Sequence, residues 1–409
     1  MKTLIKNIKE LATPIGNTKK MGKEQNDNVR YYHDAFILIE DDKIIKVGEG
    51  ECVEKCDNVI DAKNSLVTPG LVDPHTHLVF GGYRENELAM KLHGKTYLEI
   101  HKMGGGINST VKATREASFD ELYDKAKKIL DRMLALGVTT VEAKSGYGLD
   151  VENEHKMLKV VKKLNEDHVI DLVSTFMGQH SLPDEYKDNV DGYIDLIINE
   201  MIPMVVKENL AEFIDTFCEK DIFTAEESRR VLMAGKEKGL IPKCHSDEIE
   251  TIGGMEMASD VGAISMEHLI VAKTNGIKAM AKSGSIACLL PATSFYLGSI
   301  YAPAREMIDE GVAVAFGSDF NPGSCPCNSL ITAMNIGCLK YKMTPEECLT
   351  AVTLNAAAAI NRADVVGSIE EGKKADIVIW DANSLNYIYY RFGDNLVSKV
   401  IKNGKVVVE

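Results

Sequence analysis

The stretch Pro69-Gly-Leu-Val-Asp-Pro-His-Thr-His77 is an apolar run that ends in two histidines separated by one residue. Successive side chains of a strand point to opposite faces, so His75 and His77 project from one face, close enough to grip one metal ion. Alternating histidines also occur as hydrogen-bonded core residues, so the pair alone decides nothing. The pattern downstream does.

Short apolar runs recur along the chain: Leu71 to Phe80, Val138 to Ala143, Asp171 to Met177, Phe213 to Phe217, Leu240 to His245, Ala263 to His268, Ile286 to Leu290 and Val312 to Phe316. Between them lie helical patterns. Ser118-Phe-Asp-Glu121 reads as a capping box, Leu122, Ala126, Ile129, Leu130 and Met133 form one apolar face, and Gly137 suits the exit. Thr344-Pro-Glu-Glu347 opens a later helix in the same way. Strand signals alternating with helices predict a parallel α/β barrel, a distorted TIM (β/α)8 barrel over residues 69–364. Both chain ends read differently. Phe36 to Glu40 and Lys43 to Val47 flank the acidic turn Asp41-Asp42, and Ala375 to Trp380, Val397 to Ile401 and Lys405 to Val408 close the chain around an Asn403-Gly404 turn. A small β-sandwich domain built from residues 1–68 and 365–409 is expected.

The 409 residues are 45% hydrophobic and 26% charged, ordinary globular material. With 47 basic against 61 acidic residues the formal charge is -14, which argues against nucleic acid or an anionic membrane as partner. An anionic substrate would need dedicated cationic residues. Nine cysteines without small-domain spacing, and no apolar leader or spanning segment, point to a reducing cytoplasm. Cys325-Pro-Cys327 is too close for a usual zinc-finger spacing and reads as local packing. Gly104-Gly-Gly106 lacks the Lys-Ser/Thr ending of a phosphate loop and reads as a turned lid segment within the long stretch from Gly81 to Ser118.

Polar residues gather where the strand runs end, the catalytic face of such a barrel. Strand one ends in His75 and His77, strand three in Gly178-Gln-His180, strand five in His245-Ser-Asp-Glu248, strand six in Glu267-His268 and strand eight in Ser318-Asp319. An apolar core gains nothing from so many histidines and carboxylates. His33, His93, His101, His155 and His168 fall in helices or loops and are given no role.

This arrangement resembles the amidohydrolase superfamily of metal-dependent hydrolases. More narrowly, Asp73-Pro-His-Thr-His-Leu-Val-Phe-Gly-Gly-Tyr-Arg-Glu-Asn-Glu87, Lys144-Ser-Gly-Tyr-Gly148, His245-Ser-Asp-Glu248 and Gly317-Ser-Asp-Phe-Asn-Pro-Gly323 resemble the branch that opens the ring of 4-imidazolone-5-propanoate in histidine degradation. The resemblance covers nearly the whole chain. It implies His75, His77, His245 and Asp319 as metal ligands for one zinc or iron ion per subunit, with N-formimidoyl-L-glutamate as product. Asp319, Glu248 and His268 are the implied catalytic groups, their acid and base roles unordered. Relatives with two metals use a carboxylated lysine on the fourth strand; the comparable Lys144 follows the second, so a structural role is expected for it. Arg84 supplies a planar donor fork for the propionate. Tyr147, His180, Glu248, Asn321, Gly323 and Ser324 are the other implied substrate contacts. A homodimer is implied too. Two readings compete: another cyclic amidase or heterocycle aminohydrolase of the same superfamily, and a catalytically silent barrel kept for assembly.

Overall fold

A computed structural model describes residues 1–95, 99, 103 and 105–409. The N-terminal strands are β1 (Lys2–Pro14), β2 (Val29–Glu40), β3 (Lys43–Glu49) and β4 (Asn58–Pro69). The barrel strands follow as β5 (Leu71–Asp73), β6 (Val138–Lys144), β7 (Asp171–Gln179), β8 (Phe213–Cys218), β9 (Ile241–Ser246), β10 (Ser265–His268), β11 (Ile286–Leu289) and β12 (Ala313–Phe316). The chain ends with β13 (Ile377–Trp380), β14 (Val397–Lys402) and β15 (Lys405–Val408).

Strands β5 to β12 pair in sequence order, each parallel to the next, and form the eight-stranded sheet. All eight runs read from the sequence become strands of it. The first is much shorter than its apolar run. Pro74 has no N–H to donate, and the chain leaves the ladder at Asp73. A single parallel bridge, Thr76 to Phe320, restores β geometry just beyond, with His77 N–H donating to Phe320 O at 2.9 Å and Asp319 N–H to His75 O at 3.0 Å. That bridge joins the first strand's exit to the last strand's exit. It also preserves the alternation that sends His75 and His77 the same way.

The terminal strands form one continuous seven-stranded sheet in the order β15-β14-β13-β4-β1-β2-β3, separate from the barrel sheet. Its turns are the expected ones: Asp41 has φ 55, and Asn403 and Gly404 have φ 50 and 76, the left-handed pair a two-residue hairpin demands. Period two divides its faces. Ile377 and Ile379 join Ile5, Ile37 and Ile401 in the sheet's own core, while Val378 and Trp380 join the barrel's main core. The helix Phe119–Ala135 has the Ser118–Glu121 capping box, and buries Leu122, Ala126, Ile129, Leu130 and Met133. Pro345–Ala351 has the Thr344–Glu347 box. In the segment after the first barrel strand the described residues include helices Glu87–Leu92 and Ile107–Glu116, with Gly106 at φ 74 preceding the second. His101 and Gly104 lie outside the described residues.

Candidate metal centre and active site

Each histidine at a strand exit reaches one chamber. His75 Nε2 lies 3.4 Å and His77 Nε2 3.7 Å from the same atom, Asp319 Oδ1. The His245 ring centroid is 4.6 Å from that of His75 and 5.2 Å from that of His268. Two overlapping triads result, His75–His77–Asp319 and His75–His245–His268; within each, the potential ligand atoms lie within 4.8 Å of one another. Among the described residues, His75 Nε2, His77 Nδ1, both His245 ring nitrogens and His268 Nδ1 are buried without a hydrogen-bond partner. Burial, reinforced by neighbouring cationic groups, holds His75, His77 and His268 well below the usual histidine pKa. Neutral imidazoles with spare lone pairs around a carboxylate form a donor set that fits a metal ion. A third group, His75 with Glu267 and Cys288, uses the other side of the same ring, where Nδ1 meets Glu267 Oε2 at 2.8 Å.

Local backbone geometry aims these side chains. Asp319 and His268 have φ of 51 and 70, a left-handed conformation uncommon outside glycine. Asp73 Oδ1 accepts the Ser318 N–H at 3.0 Å, and Thr293 Oγ1 donates to Asp319 Oδ2 at 2.6 Å. Burial pushes the Asp319 carboxyl up to about 6. Glu248 lies with Oε2 3.7 Å from His268 Nε2. Burial first, then Asp319 and Glu219, push its carboxyl up to about 8. Glu219 also fixes that loop, accepting the N–H groups of Glu248, Ile249 and Glu250 at 3.1, 2.9 and 3.0 Å.

The other expected contacts line one flank. His180 stacks on His77, centroids 4.9 Å apart and planes 15° from parallel, and its Nδ1 donates to Gly146 O at 2.9 Å. Burial lowers its pKa to about 3, with His245 and Arg84 acting in the same direction. The Tyr147 ring lies 5.2 Å from His180 and 5.7 Å from His77. Arg84 passes so close over Gly323 that a Cβ there would sit 1.2 Å from Nη2, so a side chain at this position would displace the guanidinium. Arg84, Tyr83, Leu88, Tyr296, Pro322 and Pro326 border a cavity of about 330 Å³. Asn321 Oδ1 accepts the Gly323, Ser324 and Cys325 N–H groups, and Asn321 Nδ2 donates to Asp319 O at 2.8 Å. Its side chain holds the turn under Arg84. Ser324 Oγ is bonded to the same amide.

Lys144 is fully buried between Glu142 Oε1 at 2.8 Å and Asp215 Oδ2 at 2.7 Å. Burial alone would lower its pKa, but Asp215 and Glu142 outweigh it and raise it. Lys144 is thus an ion-paired ammonium. The nine cysteines are all free, and Cys325 donates to Ser318 O, in keeping with packing. His155 and His168 pair with Glu208 and Asp131, outside the chamber.

Residues 66–407 match the sequence profile of the amidohydrolase family. An imidazolonepropionase of Alkaliphilus metalliredigens (strain QYMF) is 54% identical over 413 aligned residues, covering 99% of this chain and 98% of the relative. The imidazolonepropionase of Alkaliphilus oremlandii (strain OhILAs) is 52% identical, covering 99% and 97%. The chain belongs to the amidohydrolase family, in its imidazolonepropionase branch. A solved structure of atrazine chlorohydrolase from Arthrobacter aurescens TC1, complexed with zinc, superposes with a TM-score of 0.75 at 19% identity, covering 100% of this chain and 95% of that one, and so shares the fold.

Sequence reasoning missed the groups that hold the histidines. Asp215 Oδ2 lies 3.1 Å from His245 Nδ1, Glu267 binds His75, and Lys243 is buried between Glu142 and Glu267. The available signal was a charged residue inside an apolar strand run, since burying it needs a partner. Thr293, which binds Asp319, carries no such signal.

Proposed function

We propose that the chain hydrolyses the ring amide of 4-imidazolone-5-propanoate to N-formimidoyl-L-glutamate. The observation that carries this reading is 54% identity, over nearly the full length of both chains, to a relative named imidazolonepropionase. His75, His77, His245 and Asp319 would hold one zinc or iron ion, which when bound supplies Lewis acidity, lowering the pKa of water and polarising the ring carbonyl. Asp319 takes the proton of the attacking water and returns it to the ring nitrogen as the C–N bond breaks. Its bond from Thr293 leaves Oδ1 facing the histidines, which supports that role. His268 steadies the developing oxyanion, and Glu248 orients water or the ring N–H beside it.

Arg84 pairs with the propionate as a planar fork, while Tyr147 and His180 contact the substrate. Gly323 gives Arg84 its room, and Asn321 and Ser324 fix the loop on which both rest. The protein works as a cytoplasmic homodimer, and its β domain divides from the barrel at 68/69 and 364/365. No helix among the described residues is long and apolar enough to cross a membrane.

The test is a coupled assay with enzymatically generated imidazolonepropanoate, following product by mass spectrometry and ammonia by a separate probe. Gain of one water without ammonia supports the reading. Ammonia release would assign the site to a heterocycle aminohydrolase, and no turnover by metal-loaded protein would favour a silent barrel.

A further inference from the structure

Beneath the histidines lie two lysines, Lys144 and Lys243, both with no exposed side-chain surface. Neither has a part in the proposed reaction, and a buried ammonium persists only where carboxylates and hydrogen bonds compensate it. Their partners link up. Starting at His75, Nδ1 meets Glu267 Oε2 at 2.8 Å, and Glu267 Oε1 lies 3.8 Å from Lys243 Nζ. Lys243 Nζ lies 3.8 Å from Glu142 Oε1, the same oxygen that Lys144 Nζ approaches to 2.8 Å. Lys144 then meets Asp215 Oδ2 at 2.7 Å, and that oxygen lies 3.1 Å from His245 Nδ1.

Anion and cation alternate along this path, which runs from the His75 ring to the His245 ring through strands β6, β8, β9 and β10. Both ends arrive on Nδ1, through a hydrogen bond at His75 and a 3.1 Å approach of Asp215 without hydrogen-bond geometry at His245, and leave Nε2 facing the chamber, where each Nε2 lacks a protein hydrogen bond. Ser265 Oγ and Thr175 Oγ1 donate to Glu267 and Glu142, and Lys243 donates to Pro74 O at 3.3 Å, so the path is fixed by further bonds along its length.

We propose that the five charged groups Glu267, Lys243, Glu142, Lys144 and Asp215 act as one positioning device that sets the orientation and tautomer of His75 and His245 together, holding both Nε2 lone pairs for a single ion. This rests on the reading of His75 and His245 as ligands of one metal. Simple charge effects and the device predict opposite signs. A buried ammonium repels a cation, so deleting it by charge alone would tighten metal binding. Loss of orientation would weaken it.

The experiment measures zinc affinity by chelator competition for the full chain and for Lys144→Met, Lys243→Met and the double variant, with the visible spectrum of the cobalt-loaded proteins as a second readout. Each single substitution is expected to weaken zinc binding about 10- to 100-fold and to shift the cobalt bands. The double variant should lose little beyond the weaker single, because either break cuts the same path. Unchanged or tighter zinc binding in the folded single variants would overturn the proposal while leaving the ligand reading intact. A wild-type chain that binds no zinc would overturn the ligand reading, and this with it. If the lysine variants do not fold, nitrogen-15 histidine spectra of the zinc-loaded wild type decide: far-downfield Nδ1 protons on both His75 and His245 are expected, and their absence on either overturns the device.

Discussion

The two ends of the barrel treat buried polar groups in opposite ways. At the N-terminal end Asp171, the first residue of β7, accepts Lys402 Nζ at 2.7 Å and Lys374 Nζ at 2.8 Å, both from the terminal β region. Asp376 accepts Lys402 Nζ at 2.7 Å and the Asn403 N–H at 2.9 Å. Charge there is matched by charge, and the bonds join the terminal sheet to the barrel. At the C-terminal end, five imidazole nitrogens are buried without a hydrogen bond among the described residues. Unpaired donors and acceptors are costly in an interior. Their concentration where strands end, above a layer of paired charges, marks a site built for something to arrive; the paired end serves stability.

Substitutions at the two ends should therefore separate activity from stability. The largest effect is expected for Asp319→Asn, which should lower turnover at least about 10³-fold if it removes both the proposed ligand and the proposed proton carrier. Steady-state kinetics with metal analysis checks it, and retained turnover would remove Asp319 from the proton path. Glu248→Gln is the companion: near wild-type kinetics would show that Glu248 is not the essential base.

Next comes Arg84→Ala, which should lower kcat/KM about 30- to 100-fold on the propionate substrate and hardly at all on a ring analogue without the side chain. Metal content should stay constant. Arg84→Lys should recover only part of the loss, since the charge returns without the fork. An equal loss on both compounds would contradict carboxylate reading by Arg84.

The smallest effect belongs to the paired end. Asp171→Asn should leave kcat unchanged and lower stability by roughly 1 kcal/mol, the pair being partly open to solvent. Its pH dependence is fixed in sign. Burial pushes the Asp171 carboxyl up, but Lys402 and Lys374 outweigh it and hold it below the ordinary 3.8. The stabilisation is therefore present above that ordinary value and lost as pH falls through the depressed one. The Tm gap between wild type and variant should be open at pH 7 and closed in strong acid.

Much of this molecule is legible from one sequence because its devices are local. Ser118 with Glu121, Asn403 with Gly404, and the histidine alternation after Pro69 each act within a few residues, so spacing reveals them. Lys144 and Asp215 are different. They meet because β6 and β8 flank β7 in the eight-stranded sheet, 71 residues apart in the chain, and the register of three strands decides which oxygen the ammonium finds. The bridge from Thr76 to Phe320 that restores β geometry beyond Asp73 is likewise announced by no local pattern.

The central claim is that the unpaired end of the barrel is a single-metal hydrolytic site. Its most direct test is elemental analysis of purified protein alongside turnover of imidazolonepropanoate, before and after chelation and after metal is returned. About one zinc or iron per chain, activity lost on chelation and restored with that metal, is the expected result. Two tightly held metals per active chain, or full activity in protein shown to be metal-free, would contradict it.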